Sequence, residues 1–153
     1  MQMINILIAE DDTSLCRLYS IVLEKAGYHT FCANDGQEAW DTLDREHIDL
    51  VITDIMMPVM DGYEFVRLLR RTNPVIPILM ITAKNDFPSK SLGFSVGTDD
   101  YMTKPVDLDE MVLRVRALLR RSHIFAERSL HIGNTTLSYD SLTVETAGET
   151  ITL

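Results

Sequence analysis

Long apolar runs are missing from this 153-residue chain; none approaches the ~20 residues of a membrane span. The N-terminus has no basic start leading into an apolar stretch and a small-residue cleavage site. No secretory signal is therefore expected, and the expected location is cytoplasmic. Cysteine is scarce: Cys16 and Cys32 stand apart, without a CxxC or a Cys/His cluster. Their expected role is that of small, reduced core residues. The four histidines, His29, His47, His123 and His131, lack metal-ligand spacing and read as ordinary surface or core residues. Positive charge is also short, with 14 Lys and Arg against 23 Asp and Glu and a net charge of −9. An acidic chain does not bind nucleic acid through its bulk charge, so any DNA-binding function needs a part with a different balance.

What is present is enough apolar residue, 46 %, for a real core. Ile4 to Ala9 reads as a buried strand, and Glu10-Asp11-Asp12 follows at once. Leu15, Tyr19, Val22, Leu23 and Ala26 then recur at helical spacing, closed by Gly27. Asp12 is expected to cap that helix rather than to bind metal. Tyr28 to Ala33 is a second strand. Asp35-Gly36-Gln37-Glu38 has the spacing of a capping box and opens a second helix. Leu50-Val51-Ile52 reads as a third strand, buried on both faces and ending at Asp54. Pro58 and Asp61-Gly62 force turns, and no chemistry is assigned to Asp61-Gly62. Tyr63, Phe65, Val66, Leu68 and Leu69 mark a third helix that stops before Asn73-Pro74.

A fourth strand, Ile76 to Ile81, has Thr82 at its end. A weaker fourth helical segment covers Ser89 to Val96. The fifth strand, Asp100 to Met102, leads into Thr103-Lys104-Pro105, and a fifth helix is expected from about Leu108 to Arg121. Five alternations of strand and helix imply an α/β fold, a doubly wound parallel sheet with helices on both faces. From Ser129 onward the pattern changes to short β-like runs with turns at Gly133-Asn134, Tyr139-Asp140 and Ala147-Gly148. The expected organisation is a domain over 1–121, a linker over 122–128 and the start of a β-rich second domain over 129–153.

Asp at the end of a strand is by itself most often a turn or cap residue. Here, however, four strand ends carry polar groups: Glu10 and Asp11, Asp54, Thr82, and Lys104. In a doubly wound sheet all four face one crevice at the C-terminal edge. Three close carboxylates repel one another unless a cation lies between them. Hard oxygen ligands in small number suit Mg2+, which keeps several waters and favours sites that also hold phosphate. Lys104 adds a compact positive charge and Thr82 a hydroxyl donor. Acids, metal, hydroxyl and amine around one aspartate suit phosphoryl transfer onto a carboxylate.

At this point the chain resembles the receiver domain of bacterial two-component response regulators. The matching stretches are Ile6-Leu7-Ile8-Ala9-Glu10-Asp11-Asp12, Asp54-Ile55-Met56-Met57-Pro58-Val59-Met60-Asp61-Gly62, Ile81-Thr82-Ala83-Lys84 and Gly97 to Pro105. The resemblance covers residues 3–121 and implies a flavodoxin-like sheet of strand order 2-1-3-4-5. It implies that Asp54 accepts a phosphoryl group from a sensor histidine kinase. Mg2+, with Mn2+ or Ca2+ as substitutes, would be held by Asp11, Asp54 and the backbone carbonyl of Met56, with Glu10 acting through a water. Thr82 and Lys104 would grip the phosphoryl oxygens, Tyr101 would be the switch aromatic, and Lys104-Pro105 would be cis. Tyr101 can also be read as a plain half-buried strand residue. Lys84 either points to solvent or lies near the path of an attacking water. Met56, Met57 and Met60 read as packing and loop residues.

The chain is also similar to the OmpR/PhoB-type subfamily, which forms a homodimer when phosphorylated. Lys90, Asp99, Asp100, Glu110 and Arg114 match its inter-subunit charge positions; from spacing alone Glu110, Arg114 and Arg121 read as a solvated charged stripe. Residues 129–153 resemble the opening sheet of that subfamily's winged-helix DNA-binding domain. DNA contact is thus implied for the full-length C-terminal domain and not for this stretch. The resemblance implies a phosphoacceptor switch rather than an enzyme, limited to self-phosphorylation from small acyl phosphates and autodephosphorylation. Two departures are Val106, where Phe is common, and Thr98, where Ala is usual. A haloacid-dehalogenase-type phosphatase needs a second Asp two positions after the nucleophile, where this chain has Met56. A flavodoxin is disfavoured because the Glu10-Asp11-Asp12 cluster would repel the flavin phosphate.

Overall fold

The strand that ends at Asp54, β3 (Leu50–Asp54), is buried at every position in the computed structural model, which describes residues 3–83 and 97–133. It lies at the centre of a five-stranded sheet. The others are β1 (Asn5–Ala9), β2 (His29–Ala33), β4 (Ile78–Thr82) and β5 (Asp100–Thr103), in the order β2-β1-β3-β4-β5, with every neighbouring pair parallel. β4 is also buried throughout. Continuous apolar runs, rather than alternation, are what a sheet covered on both faces requires.

The pleat divides the core in two. Leu7, Val51, Ile78 and Met80 face α2 (Gly36–Arg45) and α3 (Gly62–Thr72), packing with Ala39, Phe65, Val66 and Leu69. Ile6, Ile8, Leu50, Ile52, Leu79 and Ile81 face α1 (Thr13–Lys25) and the first half of α4 (Leu108–Gly133), with Tyr19, Leu23, Met111, Val115 and Leu118. Complete burial of a Leu or Ile contributes about 1.5–3 kcal/mol, so these two layers hold the strands in register.

Caps fix where the helices begin. Asp12 accepts from the Ser14 and Leu15 amides at 3.0 and 3.1 Å, the cap role its position suggests. Asp35 accepts from Glu38 N at 2.7 Å, while the Glu38 carboxylate reaches back to Asn34 N rather than to the cap residue's own amide. Asp61 caps α3 through Glu64 N at 2.9 Å.

Two expectations need revision. β4 begins at Ile78 rather than Ile76: Pro77 has no N–H to give a ladder, and the Ile76 carbonyl is taken by Arg70 at 2.7 Å. The last helix does not stop near Arg121. It runs to Gly133, so 122–128 is helical, and the β-like opening expected at Ser129 is helical as far as 133. No Gly or Pro occurs between Leu108 and Ile132 to interrupt it, and Gly133 is the first glycine in the run. The chain divides into two compact units, Met1–Leu119 and Arg120–Leu153. The sheet belongs to the first unit, and the described part of the second is helical. The expected helix at Ser89 to Val96, and the β-like runs beyond 133, lie outside the described residues.

Candidate phosphoacceptor site

The strand registers bring the polar residues together. Ala9 pairs with Thr53, which puts Glu10 level with Asp54. Asp54 pairs with Ile81, so Thr82 lies one residue further on, and Thr82 pairs with Thr103, just before Lys104. Carboxylate oxygens of Glu10, Asp11 and Asp54 all lie within 4.8 Å of one another. Glu10 is 1 %, Asp54 4 % and Thr82 1 % exposed, while Asp11 is exposed. The Lys104 backbone amide donates to the Thr82 carbonyl at 2.8 Å, and its ammonium donates to Asp54 Oδ2 at 2.8 Å. The Lys104-Pro105 peptide is cis, as the resemblance implies.

Lys104 Nζ also forms an ion pair with Glu10 Oε1 at 3.2 Å, an oxygen that accepts no hydrogen bond among the described residues. Glu10 Oε2 accepts from Asp12 N at 3.1 Å. Burial pushes the Glu10 carboxyl up to about 7; the Asp12 amide opposes this and the Asp54 charge adds to it. Partial burial works against the Lys104 ammonium, but the hydrogen bond to Asp54 and the charges of Asp54 and Glu10 raise its pKa overall. Thr82 Oγ1 is buried and has no partner among the described residues. A buried hydroxyl left unpaired costs roughly 1–3 kcal/mol, so an acceptor brought into the crevice would satisfy it. The donor set, three carboxylates whose oxygens converge within 4.8 Å, fits a hard divalent cation, and a hydroxyl and an ammonium beside it fit anionic oxygens.

A pH prediction follows from Glu10. Its pKa is about 7 in the folded protein against 4.5 unperturbed, so between those values the folded state binds the extra proton. Its contribution to stability is fully present below pH 4.5 and is lost as pH rises through about 7. Without divalent metal, raising the pH from 5 to 8 should cost roughly 2–3 kcal/mol, since each pKa unit is about 1.4 kcal/mol. Urea unfolding of the wild type and Glu10→Gln checks this, and the substitution should remove most of the slope. Mg2+ should flatten the wild-type slope, because it competes with the proton.

Other expected residues fall as follows. Met56 is 75 % exposed in the loop after β3. Tyr101 is buried and packs in the core layer that faces α2 and α3. Thr98 is buried and its hydroxyl contacts Met80 Sδ at 3.9 Å. Among the dimer-face candidates, Asp100 takes a two-pronged bond from Arg114 at 2.8 and 2.9 Å, and Arg114 also binds Glu110 at 2.7 Å. Asp99 binds Arg70 at 2.7 Å and the Ile78 amide at 2.8 Å. These charges are paired within one chain. Lys90 and Lys84 lie outside the described residues.

Two residues shape the site in ways their sequence context does not indicate. A Cβ at Gly62 would lie 2.2 Å from the Asp54 carbonyl oxygen and 2.9 Å from Ile55 Cα, so only glycine lets α3 start against the end of β3. The DG pair signals a turn, but not this contact. Arg70 donates to the carbonyls of Gly97 and Ile76 as well as to Asp99, tying the end of α3 to the entries of β4 and β5. No sequence signal separates it from Arg67 or Arg71.

The model of the response regulator receiver domain matches residues 6–116. The chain belongs to the response-regulator receiver family. Similar curated proteins include the probable transcriptional regulatory protein TcrX of Mycobacterium tuberculosis, 37 % identical over 99 % of this chain and 66 % of that protein. The alkaline phosphatase synthesis transcriptional regulatory protein PhoP of Bacillus subtilis is 44 % identical over 81 % of this chain and 52 % of its own length. Such relatives mark the receiver as one of OmpR/PhoB type. Among solved structures, the Francisella response regulator 1452 receiver domain superposes with a TM-score of 0.73 at 33 % identity, covering 77 % of this chain and 98 % of that one. The chain spans about half to two thirds of the length of the two curated relatives named. No described helix of the receiver is long and apolar enough to cross a membrane.

Proposed function

We propose that this receiver stores a signal as a phosphoryl group on Asp54, taken from the phosphohistidine of a sensor histidine kinase. The supporting observation is the buried Asp54 carboxylate, held at 2.8 Å by Lys104 beside two further acids at the strand ends. In the transfer an Asp54 carboxylate oxygen bonds to phosphorus as the P–N bond to histidine breaks. Asp11, Asp54 and the Met56 carbonyl would hold Mg2+ directly, and Glu10 through a water. The cation, when bound, offsets the carboxylate charge and that of the incoming phosphoryl oxygens.

Lys104 exchanges its Asp54 oxygen for a phosphoryl oxygen, and the unpaired Thr82 hydroxyl takes another. Phosphorylation adds about −1.5 to −2 charge and three acceptors, enough to bias a two-state element. That element would be the 89–96 segment with β5 and the start of α4, with Tyr101 following Thr82. For a homodimer through Lys90, Asp99, Asp100, Glu110 and Arg114, the pairs now closed within one chain must be retained or exchanged across the interface. Output would be transcriptional, through a DNA-binding domain that residues 129–153 would begin. With Mg2+ and a small acyl phosphate, intact-mass analysis should show one phosphoryl adduct, abolished by chelating the metal. An adduct of equal yield after chelation would remove the metal from the mechanism.

A further inference from the structure

Away from the acid cluster, the two cysteines that sequence spacing leaves isolated meet in space. Cys16, in the first turns of α1, is buried, and Cys32, on the edge strand β2, is exposed. The register pairs Cys32 with Ile8, and the Ile8 carbonyl accepts from Cys16 Sγ at 3.6 Å. Cys32 Sγ in turn donates to the Cys16 carbonyl at 3.5 Å, which places the exposed thiol against the residue that carries the buried one. The phosphoryl chemistry proposed above uses neither of them.

The geometry points to a redox modification site: a dithiol that a hydroperoxide converts reversibly into a Cys16–Cys32 disulfide. The two thiols have different surroundings, which assigns their roles. The neighbouring Cys16 thiol lowers the pKa of Cys32 against the effects of burial and of the Glu24 charge, with Arg17 helping. The same pairing, with burial next, raises that of Cys16. Exposed Cys32 is therefore the nucleophile and Cys16 the resolving thiol. The Cys32 thiolate attacks one peroxide oxygen, the O–O bond breaks, and the alkoxide leaves and takes up a proton, giving Cys32 sulfenic acid. Cys16 sulfur then attacks the Cys32 sulfur, and the hydroxyl leaves with the Cys16 proton as water. In sum two thiols and one hydroperoxide give a disulfide, an alcohol and water, and an external dithiol reverses it. The bond ties α1 to β2 beside the hydrogen bond from Glu10 N to the Ala33 carbonyl, 2.9 Å long, so it acts on an anchor of the acid loop.

The test is exposure of the chain to hydrogen peroxide, followed by denaturation, alkylation of free thiols and peptide mapping. The expected product has lost two hydrogens, carries no alkylated cysteine, yields a peptide joining positions 16 and 32, and reverts with dithiothreitol. Cys16→Ser, whose hydroxyl can still donate to the Ile8 carbonyl, should stop at a Cys32 sulfenic acid that dimedone captures. The proposal is overturned if wild-type Cys32 accumulates as sulfinic acid while Cys16 stays open to alkylation. Disulfides only between separate chains, or two thiols still free, would overturn it equally.

Discussion

Lys104→Met should lower the stability of the metal-free protein by about 2–3 kcal/mol, and saturating Mg2+ should recover most of that loss. Lys104 is the cation placed between two buried carboxylates, at 2.8 Å from Asp54 and 3.2 Å from Glu10. Removing one partner of a buried ion pair costs roughly 3–5 kcal/mol when it leaves the other charge uncompensated. Two features reduce that here. The Lys104 side chain is about one third exposed, so solvent already screens part of the interaction. Glu10 can also take up a proton, its carboxyl being at about 7 even with Lys104 present. A divalent cation among Glu10, Asp11 and Asp54 would replace the missing charge. Thermal unfolding with and without Mg2+ decides the matter, and an equal loss in both conditions would contradict an electrostatic role for Lys104.

Gly62→Ala should be as damaging, by a different route. Its Cβ would lie 2.2 Å from the Asp54 carbonyl, and neither backbone can yield without moving β3 or α3. Overpacking of this kind typically costs about 1–3 kcal/mol, and the upper end is expected because the clash is with backbone. The displaced group is Asp54 itself, so phosphoryl adduct formation should fall at least tenfold at temperatures where the variant is still folded. Asp61→Ala is the control one residue away. It removes only the cap bond to Glu64, should cost about 1 kcal/mol, and should leave adduct formation near the wild-type level. Circular dichroism followed by intact-mass kinetics separates the two effects. Equal adduct rates in Gly62→Ala and Asp61→Ala would contradict the proposed contact.

The sheet was legible because its strands are short apolar runs set between helical repeats. Residues ending such strands in a parallel sheet share one edge, which is why the sequence alone groups Glu10, Asp54, Thr82 and Lys104. Caps at Asp12 and Asp35 were legible for a similarly local reason. What stayed hidden depends on contacts between distant segments. Spacing places Glu110 and Arg114 on one stripe, but not Asp100 against Arg114. The Glu10–Lys104 pair, the Gly62 contact and the meeting of Cys16 with Cys32 each arise from how strands and helices are placed against one another, which single residues do not announce. The extension of α4 past Arg121 was missed for another reason. The β-like residues downstream of Ser129 suggest a change of structure, although no Gly or Pro before Gly133 interrupts the helical run.

Asp54 as acceptor is the claim from which the rest follows. Wild type and Asp54→Asn, incubated side by side with Mg2+ and acetyl phosphate, test it most directly by intact mass. One phosphoryl adduct on the wild type and none on Asp54→Asn is the expected result. An adduct on Asp54→Asn at the wild-type level would contradict it.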